Sequence, residues 1–211
     1  MKTPRLSLSP GSWPIPLACL SLTLAPLAPA LAVDGTITIN GEIIEQTCKI
    51  NNVTPPADLL VNLPKISSTA LKAKGDVAGA TLFDIKLTDC PEALSGNVKA
   101  YFEPSATVDL TTGNLHAYTN GDSAATIQSK LPDVSSKGKA SNVQIQLANA
   151  DGSTISIGSL DSGAQGVALT AATDGKKTAT LRYLARYIKT ESAAVSAGRI
   201  VAYVQYSILY P

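Results

Sequence analysis

Histidine is almost absent from this chain and cysteine is scarce: 211 residues carry one histidine, His116, and three cysteines, Cys19, Cys48 and Cys90. A structural zinc site draws on four such ligands, so Cys48, Cys90 and His116 do not complete one. A serine triad needs a positioned imidazole behind its nucleophile, and the many serines here lack a glycine-flanked nucleophile pattern. Carboxylates are present, but nothing marks two of them as sharing a cleft. The expectation is a chain that is not an enzyme and that holds neither metal nor cofactor. Net charge is missing as well, with 17 basic against 16 acidic residues and a formal +1. That balance argues against nucleic acid as a partner. The apolar stretch over residues 15–31 is broken by Pro26 and Pro29 and has no stop-transfer flank, which argues against a membrane span. Neither a long helical pattern nor a repeat of solenoid or propeller period is found.

What is present begins with an address. Lys2 and Arg5 precede the apolar run, and Ala30-Leu31-Ala32 fits a small-x-small cleavage site, so residues 1–32 read as a secretory signal peptide. Cys19 leaves with it; a lipoprotein reading would want an aliphatic residue where Pro16 stands. Cleavage after Ala32 leaves 211 − 32 = 179 residues, enough for one domain with a real core. It also removes two positive charges and turns the formal +1 into −1. An even pair, Cys48 and Cys90, remains, and in an exported chain it is read as one disulfide. Loop-closure entropy values such a bridge at about 4 kcal/mol.

The mature chain alternates. Val33, Gly35, Ile37, Ile39 and Gly41 share one side of a strand that is thin in apolar bulk. Residues 42–50 continue extended through Cys48; residues 51–58, with Pro55-Pro56, read as a loop; and residues 59–63 read as an edge strand ending at Pro64. Residues 67–79 can hold one short helical turn. Phe83, Ile85 and Leu87 alternate toward Cys90, and Val98, Ala100 and Phe102 alternate again. Residues 107–141 are polar and weakly patterned, and His116 is read as an idle residue of that exposed loop. Val143, Ile145 and Leu147 form a strand, and Ile155 and Ile157 follow an Asp151-Gly152 turn to close a hairpin. Residues 161–177 are a second loop before Leu181, Tyr183, Ala185 and Tyr187. Short alternating strands between turn clusters predict an all-β sandwich. Lys65, Lys72 and Lys74 read as a solvated face that could also meet sulfated glycans.

The last stretch, residues 198–211, organises the rest. Ile200, Ala202, Val204, Tyr206, Ile208 and Tyr210 would line one face of a strand; Arg199, Val201, Tyr203, Gln205, Ser207 and Leu209 line a mixed one. A core-grade strand that ends the chain has a free edge, which a soluble protein must cover.

These residues are familiar in combination. Gly35-Thr-Ile-Thr-Ile-Asn-Gly-Glu-Ile-Ile44 ahead of Cys48, the cysteine pair, Tyr183-Leu-Ala-Arg-Tyr187, Gly198 and the penultimate Tyr210 resemble the pilins of chaperone–usher fimbriae. Leu63-Pro-Lys-Ile-Ser67, Lys86-Leu-Thr-Asp-Cys-Pro91 and Val98-Lys-Ala-Tyr-Phe-Glu-Pro104 are similar to the major subunits of serotype-type fimbriae. The resemblance implies an incomplete immunoglobulin-like sandwich lacking its last strand, completed by donor-strand exchange. It divides the chain into a signal peptide (1–32), a donor extension (33–41) and a pilin domain (42–211). Val33, Gly35, Ile37 and Ile39 would donate. Gly198, Ile200, Val204, Tyr206, Ile208 and Tyr210 would border the accepting groove and meet the periplasmic chaperone. Implied partners are neighbouring subunits in a homopolymer, the chaperone, an outer-membrane usher and a tip adhesin, with export through the periplasm to a fimbrium on the cell surface. The alternative is a secreted, monomeric carbohydrate-binding sandwich, which would have no use for an unfilled groove.

Overall fold

The computed structural model describes residues 36–44, 47–121, 123–172 and 174–211. The signal segment, Val33 and Gly35 lie outside the described residues. The chain divides into two units, Met1–Glu42 and Ile43–Pro211. In the first, residues 36–42 form neither strand nor helix and are exposed, Ile37 by 89% and Ile39 by 88%.

Among its described residues the second unit is all β but for one 3₁₀ turn, Ser68–Ala70, which Ser67 caps. Its strands are β1 (Lys49–Ile50), β2 (Val77–Cys90), β3 (Asn97–Phe102), β4 (Val108–Asp109), β5 (Asn114–Thr119) and β6 (Lys139–Asn149). They continue with β7 (Val167–Ala168), β8 (Thr170–Ala171), β9 (Lys177–Lys189), β10 (Ile200–Val201) and β11 (Tyr206–Leu209). One antiparallel sheet runs β1-β2-β9-β6-β5-β10, with β4 on β5 and β8 on β9; the other runs β11-β3-β7. This is an immunoglobulin-like sandwich.

Alternation explains how the layers meet. Ile85 and Leu87 on β2, Leu181 and Tyr183 on β9, and Val98, Ala100 and Phe102 on β3 are buried in one core, while Asp84 and Arg182 pair outside it. Tyr183 ties the sheets together: its Oη accepts from the Ala100 N–H at 3.0 Å and donates to the Gln165 carbonyl at 2.9 Å. Its ring meets Phe102 edge-on at 5.4 Å, a favoured aromatic geometry. The Cys48–Cys90 disulfide forms, with Cα atoms 4.1 Å apart, inside the usual lower bound of about 4.4 Å.

Several expectations need correction. The final apolar stretch is not one strand: β10 pairs with β5 in the first sheet, and after residues 202–205 β11 pairs with β3 in the second. The polar stretch 107–141 holds β4, β5 and the start of β6, with Leu115, Ala117 and Tyr118 buried; its apolar residues are too few to stand out from the serines and threonines around them. His116 is therefore no idle loop residue. It lies half-buried on β5, with Lys139 Nζ 2.9 Å from Nε2. Burial and the Lys139 charge push its imidazole below the ordinary value, against Asp109, so the neutral ring accepts from the lysine. The second loop, 161–177, carries the two-residue strands β7 and β8. β2 starts at Val77, six residues before Phe83, bent by a register shift between Ala78 and Thr81. Residues 59–63 pair with no strand. Ile155 and Ile157 are fully buried, but their segment forms no strand and meets β6 through one isolated bridge, Ala148 to Thr154, and the Ile155 N–H bond to the Leu147 carbonyl.

Candidate functional site

The expected acceptor face holds its phase across the switch of sheets. Ile200, Ala202, Val204, Tyr206, Ile208 and Tyr210 all pack half-buried against the core, and Arg199, Gln205, Ser207 and Leu209 are exposed. Val201 departs from this division, being buried on the opposite face. It stands in register with Tyr118, which is fully buried there and lies 6.4 Å from the Tyr203 ring. Gly198 is exposed, with open space where a Cβ would be.

A second row of side chains reaches the same core. Ala57, Leu59, Val61 and Leu63 pack half-buried against it, alternating with Asp58, Leu60 and Asn62. Among the described residues, 54–66 make no backbone-to-backbone hydrogen bond to one another or to any other segment. The alternation of Leu59, Val61 and Leu63 was the available signal for this wall. Reading it as an edge strand left it out of the site.

Tyrosines connect the two rows. Tyr206 Oη donates to the Ala57 carbonyl at 2.6 Å, and Tyr210 Oη accepts from the Cys48 N–H at 3.2 Å, beside the disulfide. Burial, then the Asp58 carboxylate, pushes the Tyr206 phenol up; burial does the same to Tyr210 against the pull of the Cys48 and Thr47 hydrogen bonds. Both phenols therefore stay neutral and keep these bonds at any physiological pH. β11 is the edge strand of its sheet. A segment without main-chain pairing, 54–66, and an edge strand, β11, thus both carry apolar side chains half-buried against the core, and the Tyr206 bond to Ala57 links them. An apolar groove along a strand edge takes an extended strand that fills its pockets with alternate side chains and pairs its backbone along the edge. The structure sets Ile200, Val204, Tyr206, Ile208 and Tyr210 on one half-buried face against the core.

Comparison with known proteins agrees with this architecture. The family model for type-1 fimbrial protein A matches residues 63–211. The serotype 3 fimbrial subunit of Bordetella pertussis is 44% identical over 206 residues, covering 97% of this chain and 100% of that one. The major fimbrial subunit SMF-1 of Stenotrophomonas maltophilia is 40% identical over 190 residues, covering 90% of this chain and 99% of its own. A chain of a solved chaperone–usher pilus shares the fold with a TM-score of 0.51 at 22% identity, covering 89% of this chain and 100% of the other.

Proposed function

This chain belongs to the type-1 fimbrial protein family, a family of structural subunits, and from that premise we propose that it is the repeating, major subunit of a chaperone–usher fimbrium. Residues 1–32 direct export and are removed. The new N-terminal extension, residues 33–41, fills the groove of a neighbouring copy, with Val33, Gly35, Ile37 and Ile39 turned inward. Before assembly a periplasmic chaperone covers the groove; an outer-membrane usher then exchanges it for the next subunit, beneath a tip adhesin. The polymer reaches the cell surface and supports adhesion there.

The observation that carries this reading is the pair of half-buried apolar rows along 57–63 and 200–210, in a chain whose own Ile37 and Ile39 stand exposed in an unpaired segment. Burying each isoleucine contributes roughly 2 kcal/mol. Main-chain bonds along the edge add about 1 kcal/mol apiece, partly offset by the entropy of association. Only Val33 and Asp34 precede Gly35 after cleavage, so either Val33 fills the outermost pocket or that pocket stays empty.

The test is Ile37→Asp, which places an unpaired charge in an apolar groove. Subunits should still co-purify with the chaperone, yet the polymer ladder on unheated gels should disappear. Normal ladders would remove the donor role, and lost chaperone binding would place Ile37 in the subunit's own core.

A further inference from the structure

An asparagine followed by glycine is the pair most prone to lose its side-chain amide, because glycine has no Cβ to hold its own nitrogen away from the asparagine side chain. Two such pairs occur here, Asn40-Gly41 and Asn120-Gly121; every other asparagine precedes a larger residue. The structure holds the two in opposite conditions. Asn120 is pinned on both sides: its N–H donates to the Arg199 carbonyl at 3.0 Å, its carbonyl accepts from the Ser123 N–H at 3.3 Å, and its Nδ2 donates to the Ser123 carbonyl at 2.8 Å. Asn40 lies in the exposed segment 36–42, which forms neither strand nor helix and makes no backbone-to-backbone hydrogen bond among the described residues. A Cβ at Gly41 would meet nothing within 4 Å, so the approach to its nitrogen is open as well.

The reaction such a pair undergoes is a ring closure. The Gly41 main-chain nitrogen gives its proton to hydroxide or another solvent base and bonds to the Asn40 side-chain carbon Cγ. The Cγ–Nδ2 bond breaks, and Nδ2 takes up a proton and leaves as ammonia. Water then opens the five-membered succinimide at either carbonyl. One product is aspartate; the other is isoaspartate, whose main chain runs through the former Cβ. Water is the reactant consumed and ammonia the fragment lost, with no change of oxidation state. The motion required is a rotation about ψ of the asparagine. A free backbone allows it, and one pinned on both sides, as at Asn120, does not.

We propose that Asn40 is a deamidation site, open in the unassembled subunit and closed in the polymer; its closing rests on the donor role of residues 33–41. Once that extension is paired along a groove, its ψ angles are fixed in the extended range and the ring cannot close. The product matters because Ile37, Ile39 and Gly41 share one face only while the strand keeps its period of two. Isoaspartate at position 40 inserts one main-chain atom between Ile39 and Gly41, and either product adds a carboxylate. The two isoleucines then cannot fill their pockets while the residues after them keep their register. Time spent unassembled is thereby recorded in the extension. An aged subunit donates poorly, and a paired one is preserved.

Unassembled subunits and polymers of the mature chain, separated by size, are incubated side by side in mildly alkaline buffer, and peptide mass spectrometry follows both asparagines. In unassembled subunits Asn40 should convert about tenfold faster than Asn120, and Gly41→Ala, whose methyl has open space, should slow it by a similar factor. In polymers Asn40 should fall to near the Asn120 rate. Subunits aged before assembly should give ladders that shorten as Asn40 is lost; ladders that keep their length after its conversion would overturn the proposal. So would an Asn40 no faster than Asn120 in unassembled subunits, a result that leaves the donor reading standing. Equal Asn40 rates in subunits and polymers would overturn it too. Normal Ile37→Asp ladders would then show that the donor reading has failed with it, and absent ladders that the donor reading survives.

Discussion

Gly79 is one of the few positions where a single missing side chain shapes the fold. Its φ is +65°, and a Cβ there would stand 2.9 Å from the Tyr187 ring. Gly79→Ala therefore combines a left-handed backbone with a clash, and a loss of about 1–3 kcal/mol is expected in the denaturation midpoint of the oxidised chain. Asp84 gives a residue-scale prediction in pH. Its hydrogen bond from Arg182, at 2.9 Å, holds the carboxyl below the usual range, with burial opposing and the Arg182 charge assisting. A depressed carboxylate contributes its stability above the unfolded value of about 3.9 and loses it as pH falls through the lower folded one. Asp84→Asn should accordingly be less stable than wild type at pH 7, with the gap closing below pH about 4. A gap that persisted at low pH would mean the aspartate acts through packing instead.

At the scale of elements, the division of the last stretch between two sheets gives its residues different jobs. β10 and β11 anchor the chain to β5 and β3, and residues 202–205 cross between them with Val204 on the groove. Val204→Asp should abolish chaperone co-purification and polymer ladders together, unlike Ile37→Asp, which should spare the first. Equal behaviour of the two variants would show that groove and extension are not complementary parts. Replacing Cys48 and Cys90 by serine opens a 42-residue separation and should cost about 2–5 kcal/mol, read from the unfolding midpoint with and without reductant. The strands that alternate strongly, around Ile85, Val98, Ile145 and Tyr183, were legible in the sequence, as was the inward face of residues 200–210. Period-two patterning records which face is buried, and it survives even where the strand itself breaks. What the pattern does not carry is pairing. It could not tell that residues 59–63 alternate without a partner, or that β5 lies inside a polar stretch, where Leu115, Ala117 and Tyr118 are outnumbered by their neighbours. The buried amides Asn114 and Gln144 left no trace either, since polar residues on a strand read as an outer face until a second layer covers them.

For the whole molecule, the sandwich offers a core that its own described residues only half cover along residues 57–63 and 200–210. On the proposed function its stability and its capacity to polymerise have one origin, a strand supplied by another copy that completes the core. The two can be separated by supplying that strand in cis. The decisive protein lacks residues 33–41 at its N-terminus and carries a copy of them after Pro211 on a flexible glycine-serine linker. Size-exclusion chromatography and denaturant titration would compare it with the same fusion bearing Asp at both isoleucines of the copy. The account predicts a monodisperse monomer, stabilised over the Asp-bearing fusion by on the order of 4 kcal/mol, from the burial of two isoleucines. Equal midpoints, with both proteins equally prone to associate, would contradict it.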